Sequence, residues 1–289
     1  MFYIGTHLSS SRGMKKLGQE ALKIGANTGQ FFLRNPRGFG AKPLDEGDFR
    51  ALAELMKTNS FGPMLAHAPY TFNPCSPDPQ VRARARQMAA EDLCKMAHLP
   101  GSYYNIHPGT HGGQGAAAAV RQIADILNDL LSEAPGSTVL LETMSGRGTE
   151  LGSRFEELAA VIERVDRREN LGICLDTCHL YAAGYDLVRD LDKVLIDFDR
   201  VIGLDLIKAV HLNDSRHPLG SRRDRHTTIG DGFIGRRAIA ELINHPALKA
   251  AVFITETPLG PDGHALEIKA LRKERRPGPA PRREAADVE

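Results

Sequence analysis

Short apolar or β-branched runs recur along the chain, each followed by a turn and then by a stretch whose apolar residues fall three and four apart. The strand-like runs lie at residues 2–5, 28–33, 64–66, 103–106, 138–141, 172–175, 207–210 and 252–255. Residues 153–165 show the intervening helical pattern. Phe155, Leu158, Ala159, Ile162 and Val165 form one apolar stripe, and Ser153 with Glu156 reads as a capping box. Alternating β and α segments predict a parallel sheet covered by helices. Eight such units within 289 residues fit a (β/α)8 TIM barrel, which typically occupies roughly 250. A doubly wound sheet would carry a glycine-rich phosphate loop after an early strand, and neither GxGxxG nor GxxxxGKS/T occurs. The pattern fades near Lys273: residues 1–274 read as one barrel domain, and the Pro- and Arg-rich residues 275–289 read as a disordered tail.

Composition narrows the class without naming a function. Hydrophobic residues make up 42% and charged residues 25%, which excludes collagen-like, disulfide-scaffold and wholly disordered chains. No apolar run approaches the roughly 20 residues of a membrane span, and the first residues lack a secretory signal pattern. A cytoplasmic protein without a membrane partner is expected. Cys75, Cys94, Cys174 and Cys178 make neither zinc-finger nor CxxC spacing, so reduced and mostly buried thiols are expected. The formal net charge is +1, which by itself speaks weakly against a polyanion partner.

Candidate chemistry appears where the strands stop, because barrel active sites stand on the C-terminal ends of the strands. His67, His107, Glu142, Asp176, His211 and Glu256 each close a strand-like run, at spacings of 40, 35, 34, 35 and 45 residues. One such residue alone is more often a satisfied core group than a ligand. Six in register should converge on one mouth, and a buried ring of carboxylates and imidazoles is costly without cations. His179 follows Asp176 by three residues, one helical turn on, and Asp224 with His226 forms a DxH pair. That pair lies in residues 213–235, a long segment with no evident secondary structure, and such loops are usually functional. Five histidines and four carboxylates suffice for three ions if one carboxylate bridges. Imidazole-rich coordination favours Zn2+, with Mn2+ or Fe2+ as further options.

The blocks YIGTHLSS, NPRGFG, HAPYTFNP, NIHPGTH, LLETMSGRG, CLDTCHLYAAGYD, VHLNDSR and SRRDRHTTIGDGFIG resemble, in order, the motifs of the endonuclease IV family of apurinic/apyrimidinic endonucleases. The resemblance runs to about Lys273 and implies a TIM barrel with three zinc ions per chain. It further implies incision of double-stranded DNA 5′ to an abasic site, leaving a 3′-hydroxyl and a 5′-deoxyribose phosphate. Carried onto this sequence, it makes Glu142 the catalytic, bridging carboxylate. His67 and His107 complete one ion's shell, Asp176, His211 and Glu256 a second, and His179, Asp224 and His226 hold the third. Arg37 and Tyr70 resemble the residues that enter the minor groove beside a flipped-out abasic nucleotide. Thr71 stands where some relatives carry a bulkier apolar residue. Recognition of one nucleotide asks for no more than a monomer. The alternative is a sugar isomerase or epimerase on the same barrel, which would use Glu142, Asp176, His211 and Glu256 around a single divalent ion.

Overall fold

The computed structural model describes residues 1–276. Its elements are β1 (Tyr3–Thr6), α1 (Met14–Lys23), β2 (Gln30–Phe32), α2 (Glu46–Thr58), β3 (Leu65–His67), α3 (Pro79–Met96), β4 (Tyr103–Ile106), α4 (Ala116–Glu133), β5 (Thr138–Glu142), α5 (Phe155–Ile162), β6 (Leu171–Asp176), α6 (Thr177–Ala183), α7 (Leu191–Val201), β7 (Ile207–His211), the short β8 (Asp214–Ser215) and β9 (His226–Thr227), α8 (Gly235–Asn244), β10 (Val252–Thr255) and α9 (Pro261–Glu274). Eight strands pair in parallel in the order β1, β10, β7, β6, β5, β4, β3, β2. A parallel bridge from His7 to Gln30, with Leu8 N–H donating to Gln30 O at 2.7 Å, joins the first strand to the second. The expected TIM barrel is therefore present.

Two apolar layers explain the closure. Between strands and helices lies a large core that includes Phe31, Tyr104, Leu127, Leu158, Phe198 and Phe253. Inside the barrel, Leu65, Leu140, Cys174, Ala209, Val252 and Ile254 form a smaller plug. Side chains alternate in and out along a strand, so the residue two positions after each plug residue also points inward, one level higher. For Val252 that position is Ile254, itself in the plug; for the other five it is His67, Glu142, Asp176, His211 and Glu256.

Several expectations need correction. The helix expected over 153–165 is shorter, Phe155–Ile162, and the carboxylate that reaches back is that of Glu157 rather than Glu156, accepting from Gly152 N–H at 2.8 Å. Residues 213–235 are not without secondary structure, because β8 and β9 pair antiparallel. Of the segment read as a tail, only Arg275 and Arg276 are described: Arg275 stacks over Phe2 at 5.2 Å and donates to Ile243 O, and Arg276 N–H donates to Asn244 Oδ1 at 2.7 Å. The rest of the expected tail lies outside the described residues. Cys75, Cys174 and Cys178 are buried and Cys94 is exposed, all without disulfides.

Candidate metal centre

All nine expected ligands stand at the C-terminal mouth, and Glu142 lies at their centre. Its Oε2 is 3.2 Å from His67 Nε2 and 3.3 Å from His107 Nε2, while its Oε1 is 3.3 Å from His211 Nδ1. One carboxylate thus presents each oxygen to a different group. His67, His107 and Glu142 form one set with ligand atoms within 4.8 Å of one another, and Glu142, Asp176 and His211 form another. Glu256 Oε2 lies 3.3 Å from His211 Nδ1, which brings it to the second set. Two further sets, Asp176, His179 and His226, and Cys178, Asp224 and His226, mark a third position. His179 Nε2 lies 3.4 Å from Asp224 Oδ2, and His226 Nε2 lies 3.1 Å from Asp224 Oδ1.

Local structure aims these side chains. Asp176 ends β6 and caps α6, its Oδ1 accepting from His179 N–H at 2.7 Å, so His179 is turned back over the same mouth. The imidazoles are held by partners on their other nitrogens. His67 Nδ1 is 2.6 Å from Ala68 O, and His179 Nδ1 is 2.8 Å from Thr143 O. Carbonyl oxygens accept only, so these Nδ1 atoms carry a proton and the Nε2 atoms are turned to the centre. His211 is turned the other way: its Nε2 contacts Gln30 Oε1 at 2.7 Å, leaving Nδ1 for the centre.

Three buried amides missing from the sequence reading complete this support. Gln30 also donates to Glu256 Oε1 at 2.6 Å, and Asn105 donates to Glu142 Oε2 at 2.6 Å. Asn213 donates to Asp176 Oδ2 at 2.6 Å and to Glu256 Oε2 at 3.0 Å. Asn105 stands two residues before His107 and Asn213 two after His211, so inward parity was the available signal. Cys178, read from sequence as a reduced and buried thiol, lies within the set that also holds Asp224 and His226.

Electrostatics without a metal follow from burial and crowding. Burial alone would raise the Glu142 carboxyl, but the imidazoles of His107 and His211 outweigh it and hold it well below the usual carboxylate range. Burial opposes charge on His226, yet Asp176 and Asp224 push its imidazole up to about 9. Glu256 is brought down to about 2 against the pull of burial by His211 and His226. Two atoms resist this pairing: His179 Nε2 and His226 Nε2 are buried with no hydrogen-bond partner, although both point at the Asp224 carboxylate. Imidazole nitrogens set around a carboxylate without hydrogen-bond geometry, as at Asp224, fit a divalent cation, and the imidazole-rich set suits zinc.

Arg37 and Tyr70 lie on adjoining loops after β2 and β3, both exposed and outside the ligand cluster. Tyr70 N–H donates to Pro36 O at 2.9 Å and Thr71 Oγ1 to Gly38 O at 3.2 Å, which stitches the two loops together. The Tyr70 ring rests edge-on against Phe32 at 5.5 Å. Beneath them, the buried Arg34 donates through Nε and an Nη to Asp92 and through its other Nη to Phe39 O at 2.7 Å.

Residues 19–274 match the family described as xylose isomerase-like TIM barrel. A protein of Akkermansia muciniphila named probable endonuclease 4 is 55% identical over 273 residues, covering 94% of this chain and 99% of the relative. The chain belongs to the endonuclease IV family. The family's probable endonuclease 4 of Alkaliphilus oremlandii is 51% identical, covering 94% of this chain and 97% of the relative. The crystal structure of endonuclease IV from Thermus thermophilus superposes with a TM-score of 0.83 at 34% identity, covering 94% of this chain and 98% of that one. A D-tagatose 3-epimerase-like protein superposes at 0.69 with 19% identity, over 94% of this chain and 97% of that one, and shares the fold alone. Among the described residues no helix is long and apolar enough to cross a membrane.

Proposed function

We propose that this protein is a zinc-dependent AP endonuclease, hydrolysing the phosphodiester 5′ to an abasic site in double-stranded DNA and leaving a 3′-hydroxyl and a 5′-deoxyribose phosphate. The observation that carries the reading is the convergence of eight ligand-type side chains about a ninth, Glu142, in a chain of the endonuclease IV family. His67, His107 and Glu142 would hold one ion, Glu142, Asp176, His211 and Glu256 a second, and His179, Asp224 and His226 the third. Ions held so would supply acidified water and offset the charge that develops on the attacking and leaving oxygens.

The protein's own side chains set where this can happen. Glu142, with Asn105 fixing one oxygen, is positioned to bridge. Gln30 and Asn213 hydrogen-bond to His211, Asp176 and Glu256 and so orient them toward the centre. Exposed Arg222, Arg223 and Arg225 surround Asp224 in sequence and make no ion pair among the described residues, leaving positive charge for a phosphate backbone. Arg37 and Tyr70, on stitched loops of the same face, are placed to read the gap left by a missing base. Extruding a nucleotide already without its base costs less, which gives selectivity a physical source.

The test joins metal content to turnover. Protein purified without chelator should carry close to three transition-metal ions and should nick a duplex bearing one tetrahydrofuran abasic analogue with no added magnesium. A single ion per chain together with turnover of a ketose would replace this reading with the sugar isomerase, which needs only Glu142, Asp176, His211 and Glu256.

A further inference from the structure

The carboxylate of Asp214 is fully buried and accepts only from the backbone. Its Oδ1 takes the N–H groups of Ser215 at 2.8 Å and Ile234 at 2.9 Å, and its Oδ2 those of Gly230 at 2.9 Å and Gly232 at 3.1 Å. Gly235 N–H, at the start of α8, lies 3.2 and 3.1 Å from the two oxygens. Among the described residues no Lys, Arg or His pairs with this carboxylate. Five N–H dipoles and the positive end of α8 take the place of a counter-ion.

This arrangement determines where β9 returns. Asp214 opens β8, whose register with β9 sets Asp214 opposite Thr227 and Ser215 opposite His226. The chain then wraps round the Asp214 carboxylate before entering α8. Gly232 packs so closely that a Cβ there would lie 2.4 Å from Asp214 Oδ1 and 2.5 Å from Ser215 O. The outer turn of the loop has separate ties to α6, from Gly220 N–H to Tyr181 O at 3.0 Å and from Arg222 N–H to Ala182 O at 2.9 Å. Those ties keep the loop over the barrel, while Asp214 fixes its returning strand.

The metal centre thus has two kinds of support. His67, His107, Glu142, Asp176, His211 and Glu256 sit on barrel strands or one residue past them, and His179 is on α6. Asp224 and His226 alone are borne by the loop that Asp214 gathers. We propose that Asp214 is a positioning residue for the third ion, acting through the backbone of residues 215–235 on Asp224 and His226, and that the other two ions do not depend on it. This rests on the trinuclear reading of the site.

The test is metal content after dialysis against graded chelator, with zinc as the only metal supplied. Four proteins are compared, the unaltered chain, Asp214→Asn, Gly232→Ala and the ligand variant His226→Ala, each with its thermal midpoint recorded. Asp214→Asn turns an amide donor toward the gathered N–H groups; Gly232→Ala displaces the carboxylate from the opposite side and keeps its charge. Support from outside the ligand shell is typically worth about 10–100-fold in metal affinity. Both variants should therefore keep two ions as tightly as the unaltered protein and lose the third at about 10–100-fold less chelator. Excess zinc should refill that site in both, and should fail to do so in His226→Ala. Three equally tight ions in both variants, or loss of all three in parallel, would overturn the proposal for Asp214. Fewer than three ions in the unaltered protein would instead overturn the trinuclear reading.

Discussion

The pair formed by Arg34 and Asp92 lies beneath the loop that carries Arg37, and its removal separates stability from loop placement. Side-chain exposure is 1% for Arg34 and 0% for Asp92, and Tyr104 Oη donates to Asp92 Oδ2 at 3.0 Å. Burial pushes the Asp92 carboxyl above its usual range even though Arg34 opposes the shift. The guanidinium is pushed further toward the charged form by Asp92, but it is charged at any working pH, so the Asp92 direction is the informative one. It says that desolvation outweighs attraction at that carboxylate. Breaking the pair and removing it are therefore different perturbations. Asp92→Asn leaves a buried cation facing an amide donor, which costs about 3–5 kcal/mol. At about 2–3 °C per kcal/mol for a domain of this size, the thermal midpoint should fall by about 6–15 °C.

Replacing the whole group with apolar side chains, Arg34→Met, Asp92→Val and Tyr104→Phe together, should recover at least half of that loss, since no charge is stranded. Recovery of function should not follow. Arg34 is the donor to Phe39 O, and a hydrogen bond from a charged donor is worth about 1.5–3 kcal/mol, so a loop without it should bind an abasic duplex about 10-fold more weakly or worse. Calorimetry gives the first quantity and fluorescence anisotropy with a tetrahydrofuran duplex the second. A loss below about 1 kcal/mol in Asp92→Asn would contradict the reasoning on burial. A triple variant that regains both stability and affinity would show that Arg34 does not place the Arg37 loop.

Glu142→Ala should abolish incision while keeping affinity for abasic duplex within about tenfold, because the Arg37 and Tyr70 loops are anchored elsewhere; unchanged incision would remove Glu142 from the centre. Tyr70→Ala should narrow the ratio of affinities for abasic and intact duplex, and an unchanged ratio in a filter-binding assay would remove its role in reading the gap. In the metal-free protein, His226 is held above its unfolded value, so its stabilising contribution is complete below about pH 6.5 and is lost as pH rises through about 9. Glu256, lowered to about 2, contributes above its unfolded value near 4.3 and loses that contribution only in strong acid. The thermal midpoint of chelator-treated protein should accordingly fall between pH 6.5 and 9, and zinc added at pH 7.5 in weak buffer should release protons; a pH-independent midpoint with no proton release would show that the imidazoles are already neutral.

The barrel and the ring of ligand-type side chains at its mouth were legible because they obey one rule. Leu65 and His67, Leu140 and Glu142, Cys174 and Asp176, Ala209 and His211, and Ile254 and Glu256 are inward pairs two residues apart, an apolar plug below and a ligand-type side chain above. The amides escaped notice because Gln30, Asn105 and Asn213 are neutral and advertise no chemistry, although the latter two keep the same inward parity as the ligands next to them. The β8–β9 hairpin was illegible for another reason. Each strand has two residues, too short for a period, and the information that pairs them resides in one carboxylate and the N–H groups of distant glycines.

The formal charge of +1 counts the carboxylates of Glu142, Asp176, Asp224 and Glu256 in full and no metal ion. Residues 269–289 carry seven Lys or Arg against four Asp or Glu, so residues 1–268 stand at 30 against 32, a net of −2. In that state the mouth neutralises itself: His107, His179, His211 and His226 are all pushed toward the protonated form by Glu142, Asp176, Asp224 and Glu256, and little field is left to draw in phosphate. Three divalent ions would bring six charges and displace those four protons, a net gain of about two, at the end where Arg222, Arg223 and Arg225 make no ion pair among the described residues. Affinity for DNA should then depend on loading even where no bond is cut, and it should weaken more steeply with salt in the loaded protein than in the stripped one. Equal salt slopes in the two states would mean that phosphate is held by the arginines alone.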